Sequence, residues 1–110
     1  MTSLRREKQT MIEHHLKRRG IRDPRVLKAM WETPREEFVS PELVALAYHD
    51  TPLPIEEKQT ISQPYIVALM IEELGIKPGD TVLDVGTGSG YAAAVISQIA
   101  DRVYTVERHR

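Results

Sequence analysis

Ten residues, Val82-Leu83-Asp84-Val85-Gly86-Thr87-Gly88-Ser89-Gly90-Tyr91, constrain the fold of this chain more than any other segment. An apolar run closes on an acid and opens into a loop with glycine at every second position. The alanine-rich stretch from Tyr91 to Ala100 then reads as a helix, with Val95, Ile96 and Ile99 inward. A second apolar run, Arg102 to Val106, closes on Glu107. Strand, glycine-rich turn, helix and strand in that order form the unit that holds an adenosine-bearing ligand. The backbone must turn sharply from strand into helix, often through φ values that only glycine adopts cheaply. Missing β-carbons let a ligand lie against the main chain, and free N–H groups at the helix start favour an anionic group.

The glycine spacing discriminates between ligands. A dinucleotide fingerprint has glycine at its first, third and sixth positions, the last sometimes alanine. Counted from Gly86, the sixth position is Tyr91, whose ring would block the close strand–helix packing of dinucleotide folds. The Gly86-x-Gly88-x-Gly90 pattern instead resembles that of S-adenosylmethionine-dependent methyltransferases. Glu107 stands about 20 residues beyond Gly86, where a carboxylate accepts hydrogen bonds from both ribose hydroxyls. Asp84 either helps to hold the cofactor, through water or the loop backbone, or is a strand-end acid with its hydrogen bonds satisfied locally.

A chain of 110 residues suffices for one small domain. A complete doubly wound sheet has about five or six strands with their crossover helices, and only two convincing strands are legible here. There is no cysteine, hence no disulfide framework, thiolate zinc site or cysteine nucleophile. His14 and His15 are adjacent and cannot share a helix face, and His49 and His109 lack ligand spacing, so no metal is expected. No apolar run approaches the roughly 20 residues of a membrane span. The charged start, Met1 to Lys8, lacks the apolar core of a signal peptide. A cytoplasmic protein is expected. The net charge of −1 conceals an asymmetry: residues 1–35 carry ten Lys or Arg against four Asp or Glu, and residues 36–110 carry five against twelve. A basic arm could touch nucleic acid. Without interleaved aromatic residues to stack bases, the charges read as solvated helix faces.

Along the chain, Ser3 to Arg19 suits an exposed helix with Met11, Ile12, His15 and Leu16 as its apolar stripe, stopped by Gly20. Asp23-Pro24 reads as an N-cap with proline at the first helical position. Val26, Leu27, Met30 and Trp31 share a face of that second helix, and Pro34 ends it. Pro41 to Ala47 suits a short helical segment, and Tyr48 to Gln59 reads as irregular. Tyr65 to Leu74 is helical, with Ile66, Val67, Met70, Ile71 and Leu74 at helical spacing and Gly75 as its stop. Lys77 to Asp80 is a turn, and Thr81 to Val85 and Arg102 to Val106 are strands. One domain is expected, with residues 1–58 as a helical N-terminal part and 59–110 as the active-site segment and the start of a cofactor-binding unit.

Several further motifs narrow the resemblance. They are Arg19-Gly20-Ile21 with Asp23 to Leu27, Pro34 to Val39, Ala47 to Asp50 with Pro52 to Ile55, and Gln59-Thr60-Ile61-Ser62-Gln63-Pro64-Tyr65. With Val82 to Tyr91 and Val103 to Arg108, they resemble, in order and over nearly the whole chain, the N-terminal portion of the protein-L-isoaspartate O-methyltransferases. The family usually has glycines where this chain carries Glu56-Glu57-Lys58. Those charges stiffen the loop and place negative charge beside a site meant for a carboxylate. The resemblance implies a Rossmann-like α/β methyltransferase fold, incomplete here, with further strands and helices downstream.

It also implies methyl transfer from S-adenosyl-L-methionine to the α-carboxyl of L-isoaspartyl residues in damaged proteins or peptides. That nucleophile has a reference pKa of about 3.5 to 4 and is ionised at neutral pH. No strong base is needed, and orientation should dominate catalysis. By resemblance Ser62 occupies the family's active-site position, where its hydroxyl orients the substrate carboxylate; its alternative role is to cap the helix opened by Pro64. Thr60 and Ile61 are assigned to the substrate side, bordering the cofactor, although Ile61 equally suits a core. Asp84, Gly86, Thr87, Gly88, Ser89, Gly90 and Glu107 are the expected cofactor contacts. Two parallel strands and one crossover helix leave apolar surface and strand edges exposed, so a truncated product or self-association is expected. The competing readings are a non-catalytic fragment that self-associates and a methyltransferase acting on nucleic acid.

Overall fold

The computed structural model describes residues 3–55 and 59–107. Glu56-Glu57-Lys58 and His109 therefore lie outside the described residues. The N-terminal helix begins as expected with α1, Ser3–Thr10. It does not continue as one α-helix to Arg19. It widens into a π-helical stretch, Met11–Leu16, and tightens into a 3-10 turn, Lys17–Arg19. Met11 and Leu16, at the two ends of the widened stretch, are both fully buried. Gly20, at φ 103°, ends the run in the left-handed region.

Helix α2, Pro24–Glu32, starts as the sequence predicts. The Asp23 carboxylate accepts the Arg25 N–H at 2.9 Å. Glu72 locks the same corner from a distant helix, accepting the N–H groups of Arg22 and Asp23 at 2.8 Å each. Val26, Ala29 and Met30 are buried, with Leu27 and Trp31 packed beside them. Two 3-10 turns follow, Arg35–Phe38 and Pro41–Leu46.

The stretch read as irregular, Tyr48 to Gln59, supplies the first strand of a small hairpin. Strand β1, Leu53–Pro54, pairs antiparallel with β2, Thr60–Ile61, matching Leu53 with Ile61 and Pro54 with Thr60. Strands this short, one holding a proline, carry no alternating pattern to read. Helix α3, Pro64–Leu74, leads to the turn at Lys77 and into β3, Thr81–Val85. The Asp80 carboxylate closes that turn by accepting the Lys77 N–H at 3.0 Å. That bond, ahead of the Lys77 ammonium, holds the Asp80 carboxyl below the usual carboxylate range.

Helix α4, Tyr91–Ser97, crosses to β4, Arg102–Val106, which pairs parallel with β3 from Thr81↔Arg102 to Val85↔Val106. The helix is three residues shorter than the spacing predicts. Its end tightens through Gln98 N–H to the Val95 carbonyl and Ile99 N–H to the Ile96 carbonyl. Val95, Ile96 and Ile99 are nonetheless buried. This strand–loop–helix–strand unit with its helical approach is an incomplete Rossmann-like fold.

One apolar cluster runs from Met11 through Met30, Ile71 and Tyr91 to Ile99. It uses one face of β3 and β4 only. Val82 and Val103 pack on it, whereas Leu83, Val85, Tyr104 and Val106 are each more than half exposed. The α3 stripe divides likewise: Val67 and Ile71 are buried, but Met70 and Leu74 are 53% and 67% exposed. The stripe is broader than the core it meets.

The Asp23 cap should be worth about 1 kcal/mol. Asp23→Ala is expected to lower the urea midpoint accordingly, with an unchanged denaturant slope; no shift would mean that the Glu72 contacts alone fix the corner.

Candidate functional site

The carboxyl end of β3, the glycine loop, the start of α4 and the β2–α3 junction enclose one cleft of about 490 Å³. One wall is Gln59, Thr60, Ile61 and Ser62; the other is Asp84 to Ser89, with Val67, Met70, Tyr91 and Ala92 at the base. Segments far apart in sequence thus converge where open α/β sheets bind ligands. Of the residues singled out from sequence, Gly90 and Glu107 stand behind this lining.

The loop is wound tightly on itself and on β4. Gly86, Gly88 and Gly90 have φ of 72°, 58° and 86°, a conformation L side chains rarely adopt. The Gly86 N–H donates to the Val106 carbonyl at 2.7 Å and the Gly90 N–H to the Thr87 carbonyl at 3.0 Å. The Tyr91 N–H reaches the Ser89 hydroxyl at 3.2 Å. Of the N–H groups at the helix start, that of Tyr91 is thus taken by an acceptor of the loop itself. Glu107 contributes to the same closure: its Oε2 accepts the Gly88 N–H at 2.5 Å. Asp84 accepts the Thr87 hydroxyl at 2.6 Å. It thus shapes the loop while its carboxylate borders the cleft.

Ser62 is exposed on the opposite wall. The capping alternative fails. Gln63 is the residue before the helix, with no side-chain cap bond, and its Nε2 donates instead to Asp50 Oδ1 at 3.1 Å. The Ser62 hydroxyl makes no hydrogen bond among the described residues. Ile61 is 3% exposed, so it serves the core and borders the cleft at once.

Behind the cleft stands a cluster that the sequence alone did not single out. Tyr91 is 1% exposed, and its ring lies edge-on to Phe38 at 5.6 Å between centroids. The Arg35 guanidinium lies over the same ring at 4.8 Å. Arg35 is fully buried; its Nε donates to the Ala47 carbonyl at 2.6 Å, while Nη1 and Nη2 find no hydrogen-bond partner among the described residues. Burial lowers the Arg35 pKa, opposed by Tyr91 and Tyr48. Burial also raises the Tyr48 phenol, which donates to Glu36, and pushes Tyr91 up to about 12. Their signal was Tyr91 itself, a bulky residue where a third close-packing glycine would stand.

The basic arm is partly committed within the fold. Arg19 pairs with Asp50 at 2.9 Å, Lys17 with Glu13 at 3.0 Å, and Lys8 donates to the Trp31 carbonyl at 2.8 Å. Among the described residues no group of three His, Cys, Asp or Glu is placed to hold a metal ion, and no helix is long and apolar enough to cross a membrane.

The profile of the family Protein-L-isoaspartate(D-aspartate) O-methyltransferase matches residues 6–110. The chain belongs to that family. It is 61% identical over 101 residues to protein-L-isoaspartate O-methyltransferase 1 of Geotalea uraniireducens, covering 92% of this chain and 46% of that protein. With the Protochlamydia amoebophila protein-L-isoaspartate O-methyltransferase it shares 57% identity over 99 residues, 90% of this chain and 47% of the relative. The chain therefore spans about half the length of the curated relatives it matches. A solved protein-L-isoaspartate O-methyltransferase superposes with a TM-score of 0.81 at 35% identity, over 94% of this chain and 34% of that one. The Plasmodium falciparum protein-L-isoaspartate O-methyltransferase, solved in complex with S-adenosyl-L-homocysteine, gives 0.78 at 32% identity, over 94% and 50%.

The raised Tyr91 pKa has a stability consequence. The unfolded phenol ionises near pH 10 while the folded one keeps its proton to about 12, so stability falls between those values as pH rises. Tyr91→Phe should lose less stability than the parent between pH 8 and 11, by on the order of 1 kcal/mol. Parallel alkaline melting curves for the two proteins would contradict the burial of a neutral phenol.

Proposed function

We propose that this chain forms the cofactor-binding and carboxylate-orienting part of a protein-L-isoaspartate O-methyltransferase. The observation that carries the reading is Ser62: an exposed hydroxyl with no hydrogen bond among the described residues lines the same cleft as the glycine loop. S-adenosyl-L-methionine would supply an electrophilic methyl group on a sulfonium sulfur. Its fit is supported by the open space beside Gly86, where a β-carbon would meet nothing within 4 Å. The Asp84 carboxylate, which borders the cleft, suits a ribose hydroxyl or a sulfonium charge. Asp84, Gly86, Thr87, Gly88 and Ser89 would hold it directly, with Gly90 and Glu107 fixing the loop. The cysteine-free composition is compatible with a cytoplasmic setting.

The chain's own residues then have an orienting task. The α-carboxylate of an L-isoaspartyl peptide is already ionised at neutral pH, so no proton need be removed before attack. The Ser62 hydroxyl donates to one carboxylate oxygen and leaves the other aligned with the methyl carbon. Thr60 and Ile61 border that approach. The carboxylate oxygen so held would take the methyl group, the sulfur keeping the electron pair of the broken S–CH₃ bond, to leave the methyl ester and S-adenosyl-L-homocysteine.

In the intact protein that carries this sequence, Ser62→Ala should lower methyl transfer to an L-isoaspartyl peptide by roughly tenfold to a hundredfold. Affinity for S-adenosyl-L-homocysteine should hold. Unchanged turnover would remove Ser62 from the mechanism.

A second reading concerns the chain by itself. The outer face of Leu83, Val85, Tyr104 and Val106, continued by Met70 and Leu74, is an apolar surface on a parallel sheet, and such sheets are normally covered on both faces. We propose that the isolated chain covers it with a second copy and is then inactive. Sedimentation should find association that weakens with Leu83→Lys. A monomer with a cooperative melt at low micromolar concentration would refute this.

A further inference from the structure

Ser62 lies on an exposed junction between a two-residue strand and a helix, so its direction depends on what holds the neighbouring residues. Gln63, next in sequence, sends its side chain away from the helix end it could cap and donates to Asp50 Oδ1. The other Asp50 oxygen accepts Arg19 Nη1 at 2.9 Å. The same Arg19 guanidinium lies over the Tyr65 ring, 5.1 Å from its centroid. One arginine from the turn before Gly20 thus reaches Tyr65 directly and Gln63 through Asp50, gripping the segment just beyond Ser62.

An exposed ion pair contributes little by itself, and the Arg19 side chain is 48% exposed. Asp50 is different. Its side chain is 12% exposed, each oxygen has its own donor, and it also feels the charge of buried Arg35. Two oxygens fixed by donors from different segments define an orientation, which a single mobile pair does not. No ligand contact is needed for such a network to matter, because small displacements of an orienting group are costly to catalysis.

We propose that Arg19 and Asp50 are positioning residues for Ser62, acting through Gln63 and Tyr65 to aim its hydroxyl into the cleft. The proposal rests on the reading of Ser62 as the carboxylate-orienting residue. It assigns to the N-terminal helical part a role in peptide turnover that is separable from cofactor binding.

The test is a double-mutant cycle in the intact protein, with a synthetic L-isoaspartyl peptide as substrate, run well below each variant's melting temperature. Asp50→Ala should lower kcat/KM for the peptide roughly tenfold. It should change the calorimetric affinity for S-adenosyl-L-homocysteine by less than about twofold. Arg19→Lys keeps the charge but loses the planar stack, and should give a smaller loss in the same parameter. In a Ser62→Ala background, Asp50→Ala should cost less than about a further twofold, since the group it aims is gone. Asp50→Asn, which keeps the shape, should repeat the pattern at smaller amplitude and serves if Asp50→Ala does not fold. A full Asp50 effect persisting without Ser62, an effect on cofactor affinity of equal size, or no effect would each overturn the proposal. A neutral Ser62→Ala would overturn the underlying reading itself, and is seen separately in the single variant.

Discussion

The packing of Tyr91 is the contact on which the rest depends. It opens α4 directly after Gly90, so whatever holds its ring also holds the loop. Arg35 covers one face of that ring and Phe38 meets its edge, both from the 3-10 turn after α2. The hydroxyl reaches Met30 Sδ, on α2, at 3.7 Å. A desolvated cation–π contact is worth about 2 kcal/mol and an aromatic pair about 1. Against this stands a buried guanidinium with two nitrogens that find no hydrogen-bond partner among the described residues, which is costly. The helical approach is thus bolted to the ligand loop through one side chain, at some expense of stability.

This contact explains why the glycine loop takes its particular form. In a dinucleotide fold a small residue at the sixth position lets helix and strand approach closely. Here the ring turns away from the sheet and into the helical part, where it fills the core. The loop is then finished by local bonds: Asp84 to Thr87, Glu107 to Gly88, and the Val106 carbonyl to Gly86. Those acids shape the loop without a ligand, and in the proposed site such preorganisation would spare ordering on binding.

What was legible in the sequence was local. The Asp23-Pro24 cap, the stops at Gly20 and Gly75, and the strand–glycine–helix order all follow from short-range backbone preferences, and all appear. The meeting of the Thr60 to Ser62 segment with the glycine loop followed from the resemblance, not from any pattern within either segment. The widened π turn at Met11 to Leu16 was not legible, because it arises from seating both side chains in one core. The hairpin at Leu53 and Ile61 was too short to show a period. The burial of Arg35 runs against its residue type, and it is answered by the Tyr91 ring, the Ala47 carbonyl and the charge of Asp50. Periodicity overstated the buried face of α3, since it reports where a helix is apolar and not whether anything meets it.

The wall ending at Ser62 and the loop from Gly86 to Ser89 are proposed here to form one site for S-adenosyl-L-methionine. Amide chemical-shift mapping of the labelled protein during titration with S-adenosyl-L-homocysteine tests it most directly. Saturable shifts are expected at Gly86 to Ser89 and at Thr60 to Ser62 together, with Trp31 and its surroundings unmoved. Shifts confined to one wall, centred elsewhere, or absent at saturating ligand in a folded sample would contradict it.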